Sequence, residues 1–160
     1  MNTDIAAELR PYTPLLDVVF GEGNDPMPVL EERARKMLRD YPAVIWEGDA
    51  TNFHFLYVSA SAEKVFGYPR ERWTSEPGFW TDTILHPGDR DHAISYCALC
   101  TGKGQDHDFE YRAVTADGRT KILHDVVKVV KGRRGVAVRL RGIMIDVTPA
   151  AGADQPSERG

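Results

Sequence analysis

The sequence predicts an α+β domain in which helices cover one face of a five-stranded antiparallel sheet, preceded by N-terminal helices. Three observations lead there. Strand-like runs lie at both ends of a central region, two short ones before its middle, the second aromatic and β-branched, and three after it, where the period becomes two. The middle reads as helical, with Trp73, Phe79 and Trp80 followed by a longer helix behind Pro87. Asp117-Gly118 joins two of the alternating runs, a strong short-range sign of a hairpin because Gly accepts the positive φ of a tight turn.

Residues 1–41 form the helical flank. Ile5, Leu9, Leu15, Leu16, Val18, Val19 and Phe20 supply apolar surface, and Pro11 and Pro14 break the run into pieces. Gly21 to Pro26 interrupts it. Leu30, Ala34, Met37, Leu38 and Tyr41 then make one stripe of an amphipathic helix that stops before Pro42. Glu31–Arg35 and Glu32–Lys36 stand four apart on its wet side.

Residues 42–148 form the domain proper. Ala43 to Glu47 is a short strand, Gly48 to Asn52 a turn, and Phe53 to Val58 an aromatic, β-branched second strand. Ser59 is placed to cap a short helix that runs to Phe66 and is closed by Gly67. The long helix carries Ala93, Ile94, Cys97 and Ala98 on one face, with Asp89 at its start and Gly102 past its end. From residue 107 the period becomes two, Phe109 and Tyr111 alternating with Glu110 and Arg112. Thr120 to Val130 and Val136 to Val147 complete a meander around the turn Lys131 to Gly135. Residues 149–160 contain no large apolar side chain and read as a disordered linker or tail.

Composition narrows the function. The 160 residues fit one domain, and a net charge of −4 argues against a nucleic-acid surface. No apolar run approaches the ~20 residues that span a bilayer, and Met1 to Asp4 lacks a secretory start. Two cysteines three apart make no disulfide framework. The expectation is a soluble, cytoplasmic chain with no nucleic-acid partner and no membrane segment. No nucleophile elbow, phosphate loop, zinc-protease signature or kinase loop is present, so no catalytic residue is assigned and the chain is not read as an enzyme.

The order of these pieces resembles the PAS family, in particular the subtype with a C-terminal PAC motif. The resemblance rests on Phe55-Leu56-Tyr57-Val58-Ser59, Phe66-Gly67-Tyr68, His86-Pro87-Gly88-Asp89-Arg90, Glu110-Tyr111-Arg112 with Asp117-Gly118, and Gly142 to Thr148. Ser59 stands where the family often has Asn, and Ile122 where it often has Trp. The resemblance implies a PAS-like (profilin-like) fold over residues 42–148. It further implies a sensor that binds a small ligand, cofactor or partner and regulates an output domain such as a two-component histidine kinase, a diguanylate cyclase or a transcription regulator. A ligand pocket is implied between sheet and helices, near Phe55, Tyr57, Trp80, Ile94, Cys97, Phe109, Tyr111, Leu123, Asp125, Leu140 and Met144. Asp146 and Thr148 would carry the signal out, and the flanking helices would form a homodimer. Rival readings are a ligand-free interaction module of the same fold and an unrelated small α+β enzyme or binding protein.

Candidate ligands follow from residue chemistry. The Asn-Cys-Arg-type motif of flavin photosensors is absent, which disfavours flavin. Haem would use His92 of the long helix as its axial ligand, but His92 falls on the helix face of Tyr96 and Leu99, that of a surface histidine. Cys97 and Cys100 supply two of the four ligands zinc needs, and they sit late in the helix, where a redox pair lacks dipole support; ordinary buried cysteines are expected and no metal is assigned. Asp125 shares the parity of Leu123 and Val127. Turned inward it would be a buried carboxylate needing a partner; a bulge returning it to water is the commoner arrangement.

Overall fold

Alternation along its strands lets one sheet serve two cores. The computed structural model describes residues 11–21, 24–39 and 41–149. Its strands are β1 (Ala43–Asp49), β2 (Phe55–Val58), β3 (His107–Val114), β4 (Thr120–Lys131) and β5 (Ala137–Asp146), all pairs antiparallel, in the order β2-β1-β5-β4-β3. On the inner face Val44, Trp46, Leu123, Val127, Leu140 and Met144 meet the central helices. On the outer face Ala43, Ile45, Val126, Ile143 and Ile145 meet the N-terminal flank. The expected five-stranded antiparallel sheet with helices on one face is present, its last three strands a meander, and the flank takes the face those helices leave bare.

The flank consists of a π-helical turn, Leu16–Phe20, and helix α1, Met27–Leu38. Val19, Phe20, Leu30, Ala34 and Leu38 are buried against the sheet. Arg141 ties the two together, its guanidinium donating to Glu47 of β1 at 2.8 Å and to the Asp25 carbonyl at 2.7 Å. The expected four-apart ion pairs are replaced: Glu32 pairs with Arg35 three residues on, at 2.5 Å, and Glu31 accepts from the Tyr57 hydroxyl of β2. Ile5 and Leu9 of the expected first helix, and residues 150–160 of the expected tail, lie outside the described residues.

The middle of the chain holds α2 (Ser61–Phe66), α3 (Arg70–Ser75), a π-helical turn at Phe79–Ile84 and α4 (Arg90–Gly102), which follows a 3-10 turn at Pro87–Asp89. Gly67 ends α2 at φ 89° as expected, with Ala116 only 3.1 Å from where a Cβ would stand. Four local expectations are corrected. Ser59 does not cap α2; its hydroxyl accepts from the Ile45 N–H at 2.9 Å, because the strand edge beside it holds the nearer free donor. Asp89 does not cap α4; its carboxylate is taken by the backbone N–H and guanidinium of Arg112, both 2.7 Å away. That guanidinium holds the Asp89 carboxyl below the usual range. Gly102 lies inside α4, and the left-handed residue beyond it is Gly104, φ 66°. Finally, β2 begins at Phe55, because Phe53 turns to φ 61°.

Candidate functional site

Between the inner sheet face and the helices four polar side chains meet inside an aromatic shell. Trp46 Nε1 donates to Asp125 Oδ1 at 2.9 Å, and the Tyr111 hydroxyl donates to Asp125 Oδ2 at 2.8 Å. Trp80 Nε1 donates to the Tyr111 oxygen at 3.2 Å. Asp125 is 2% exposed, so the pattern of β4 wins over the commoner bulge: both carboxylate oxygens find donors and the strand need not distort. Burial outweighs these two hydrogen bonds and pushes the Asp125 carboxyl up to about 7, while Tyr111 is pushed well above its ordinary value by the same burial and by the carboxylate beside it.

Register explains how Trp46 reaches Asp125. Trp46 of β1 pairs with Gly142 of β5, and Asp125 of β4 pairs with Met144, one inward step along. The indole lies flat across Gly142, where a Cβ would stand 2.5 Å from the ring and 2.6 Å from the Val126 carbonyl. The close approach at Gly142 is therefore made by a side chain of the protein itself. Beside the cluster, His107 Nδ1 lies 2.9 Å from the Gln105 carbonyl and so carries the proton. Its Nε2 faces the Cys97 sulfur at 3.4 Å, accepting from the thiol. Burial lowers the His107 pKa and raises that of Cys97 to about 12, keeping both groups neutral.

These side chains surround a cavity of about 20 Å³, lined by Trp46, Gly48, Phe53, Phe55, Trp80, Cys97, Phe109, Asp125, Val127 and Met144. That is room for about one water molecule. An open groove of about 670 Å³ lies outside it, between the β1–β2 turn, the C-terminal half of α4 and the β4–β5 turn. Phe53 lines both spaces. Its ring stands edge-on to Trp80, centroids 5.7 Å apart, and its left-handed backbone costs about 1–3 kcal/mol in a residue with a Cβ.

Of the expected pocket residues, Phe55, Trp80, Cys97, Phe109, Asp125 and Met144 line the cavity, and Tyr111 completes the cluster. Leu123 and Leu140 belong to the same core without lining the cavity, and Ile94 lines the outer groove. Tyr57 is elsewhere: it packs on the outer side, donating to Glu31 with the Arg70 guanidinium 5.3 Å over its ring, because the register shift between the Glu47–Tyr57 and Gly48–Phe55 pairs breaks the parity it shares with Phe55. The inward face of α4 is Ala93, Cys97, Cys100 and Thr101, with Ala98 exposed. Sequence reasoning missed Trp46, Gly48, Phe53 and Val127 as lining residues. The alternation Val44, Trp46, Gly48 points to two of them; Phe53 carries no such signal.

His92, the axial ligand haem would use, is exposed on α4 and does not line the cavity, whose volume of about 20 Å³ is far too small for a porphyrin. Among the described residues no group of three or more metal-ligating side chains converges. At the exit of β5, Asp146 pairs with Lys121 at 2.9 Å and accepts from the Thr148 N–H at 3.0 Å, while Thr148 Oγ1 accepts from the Ile122 N–H at 2.8 Å. The Tyr41 hydroxyl donates to the Asp146 carbonyl at 3.0 Å.

Comparison with known proteins adds an independent line. The family described as the PAS fold matches residues 55–144. The N-terminal domain of a diguanylate cyclase with PAS/PAC sensor from Marinobacter aquaeolei is 30% identical, with 66% of this chain and 95% of that one covered and a TM-score of 0.61. A domain of a putative light and redox sensing histidine kinase from Haloarcula marismortui is 21% identical, with 73% and 99% covered and a TM-score of 0.57. The PAS domain of a protein from Colwellia psychrerythraea is 22% identical, with 75% and 98% covered and a TM-score of 0.58. The last two share the fold. No curated protein matches the chain.

Proposed function

We propose that this chain, which belongs to the PAS fold family and is a sensory signalling domain, senses through the Asp125 cluster and reports through β5. The observation that carries the reading is the buried carboxylate itself, held by Trp46 and Tyr111 and paired in register with Met144. A ligand or proton that changes the carboxylate's partners moves Met144, and Asp146 lies two residues further along the same strand. Asp146 and Thr148 touch β4 and the chain entering β1 at one place, so both ends of residues 42–148 feel the shift. In this reading the chain carries no catalysis of its own. It regulates an output such as a histidine kinase, a diguanylate cyclase or a transcription regulator, as the kinship with a diguanylate cyclase sensor supports.

The test is a panel of small neutral molecules screened by thermal shift, with amide exchange followed at Ile122 and Thr148. A binder should stabilise the protein and alter exchange at both amides. Asp146→Ala should keep the binding and lose the exchange response. A binder that perturbs Trp46 and Trp80 but leaves the exit unchanged would sink the reading.

A second reading, a ligand-free interaction module, is favoured by the small size of the cavity. A flat visible absorbance spectrum and no binder in the panel would support it. Within either reading we place the flank at residues 1–41, the sensor at 42–148 and a linker at 149–160, in a cytoplasmic chain; no helix among the described residues is long and apolar enough to cross a membrane. A homodimer through the flank would use its outward side, where Val18 and Val29 are exposed. Val18→Lys with Val29→Lys should then leave a monomer by light scattering.

A further inference from the structure

We infer that Phe53 is a built-in stand-in for a small aromatic ligand, and that its ring swings into the outer groove to admit one carrying a neutral hydrogen-bond donor, of the phenol or indole class. The inference rests on the ligand-sensing reading and names the ligand's chemistry and its way in.

Four observations converge on this residue. Phe53 is the one aromatic ring that lines both the interior cavity and the open groove, so it is the wall between them. It is partly buried where its cavity neighbours Trp46, Phe55 and Trp80 are buried. Its backbone is left-handed, whereas the only other described non-glycine residue with positive φ, Arg39, ends a helix. The turn that carries it is closed on itself: Asp49 Oδ1 accepts from the Thr51 N–H at 2.7 Å, Asn52 Oδ1 from the His54 N–H at 2.9 Å, and the Asp49 carbonyl from the Phe53 N–H at 2.9 Å. Those bonds hold the turn while leaving the side chain to rotate about its own χ angles.

The shape vacated decides the ligand. A phenyl ring moved out adds its own volume to the existing 20 Å³, and an apolar space on the order of 150 Å³ takes one benzene-sized ring. The incoming ring inherits the edge-on contact with Trp80. Deeper in stands Asp125, whose oxygens accept from Trp46 and Tyr111 and keep lone pairs for a third donor. A neutral donor is matched there, whereas a carboxylate ligand would meet the Asp125 carboxyl and the apolar walls. The groove that receives the displaced Phe53 ring offers Ile94, Ala98, Val136 and Ala137.

The test titrates phenol and indole, each alone, into the full chain and into Phe53→Ala, with the indole N–H resonances of Trp46 and Trp80 as the readout. Removing the competing ring should tighten binding at least tenfold and shift both resonances. Phe53→Gly, which also relieves the left-handed strain, should do the same, guarding against an alanine variant that folds poorly. Adding Val127→Phe to Phe53→Ala should refill the space and cost that gain. Folded variants that bind phenol and indole no more tightly than wild type would overturn the inference. If wild type and variants bind equally, with both resonances shifted, the interior is a ligand site but Phe53 is not its gate; if neither probe binds any form, the inference falls and the wider sensory reading still rests on the panel.

Discussion

The two faces of the sheet are written by the same strands and are chemically opposite. The outer face presents Ala43, Ile45, Val126, Ile143 and Ile145 to an aliphatic and aromatic flank, with the Arg141–Glu47 pair and His124 flanking this apolar row. The inner face encloses Asp125, Tyr111 and the indole N–H groups of Trp46 and Trp80 at its centre. An aliphatic face needs only the right volume, and loses a little with each methylene removed. A face with a buried carboxylate needs every partner present, because a single orphaned group leaves a charge or donor unsatisfied in a dry interior. The proposed response to a signal therefore belongs to the inner face, and adhesion of the flank to the outer one.

Substitutions should separate the two. Trp46→Ala removes a buried indole and one of the two donors to Asp125, and should cost about 4 kcal/mol in urea denaturation. Ile145→Val on the outer face should cost only about 1 kcal/mol. Equal losses would erase the distinction. Proton linkage gives the next effect. Asp125 takes its proton near pH 7 when folded and near 3.8 when unfolded, so between those values the native state binds more protons. Stability should fall as pH rises from about 4 to 7 and then level off, by a total on the order of 4 kcal/mol. Asp125→Asn should flatten that slope, and an unchanged slope would place the titrating group elsewhere.

Gly142→Ala follows, at about 2–3 kcal/mol, because the new Cβ meets both the Trp46 ring and the Val126 carbonyl. In a cycle with Trp46→Ala the penalty should shrink without vanishing: the ring leaves, but the carbonyl 2.6 Å away stays. Full additivity would mean that the indole does not rest on Gly142.

Much of this was legible in the residues, and the failures have physical causes. The strands of the meander declared themselves through period-two alternation, and Asp117-Gly118 supplied the hairpin with Gly118 at φ 86°. Alternation gave Asp125 the parity of Leu123 and Val127, yet a bulge back to water was the commoner expectation: a sequence cannot show that Trp46 and Tyr111 will meet the carboxylate, since the three come from different strands whose register is a tertiary fact. Tyr57 shares the parity of the inward Phe55, but a register shift in β2 that the sequence does not signal turns it to the outer side, facing Glu31 and Arg70. Phe53 was read as strand because its neighbours are β-formers; the side-chain caps of Asp49 and Asn52 instead bend the chain back before β2 begins.

The smallest expected effect tests whether the faces are independent. His124 adjoins Asp125 on β4 but points outward, its ring tilted against Tyr12 with centroids 4.3 Å apart and within reach of Asp108 at 2.6 Å and Glu110 at 3.2 Å. Burial opposes its charge, yet these two carboxylates prevail and raise its pKa above the ordinary value. A raised histidine contributes stability that is full below its unfolded pKa and fades as pH rises through the folded one, so His124→Gln should remove a loss near and above neutrality. The imidazolium also favours the ionised form of Asp125 through space. Replacing it should therefore shift the Asp125 titration upward by a few tenths of a pH unit, as two charges separated by a sheet's thickness interact weakly but measurably. Carboxyl-carbon chemical shifts of Asp125 followed across pH in wild type and His124→Gln would read the shift directly. A titration left in place would mean that the sheet insulates its two faces, and that a proton taken up on the flank side has no voice at the buried carboxylate.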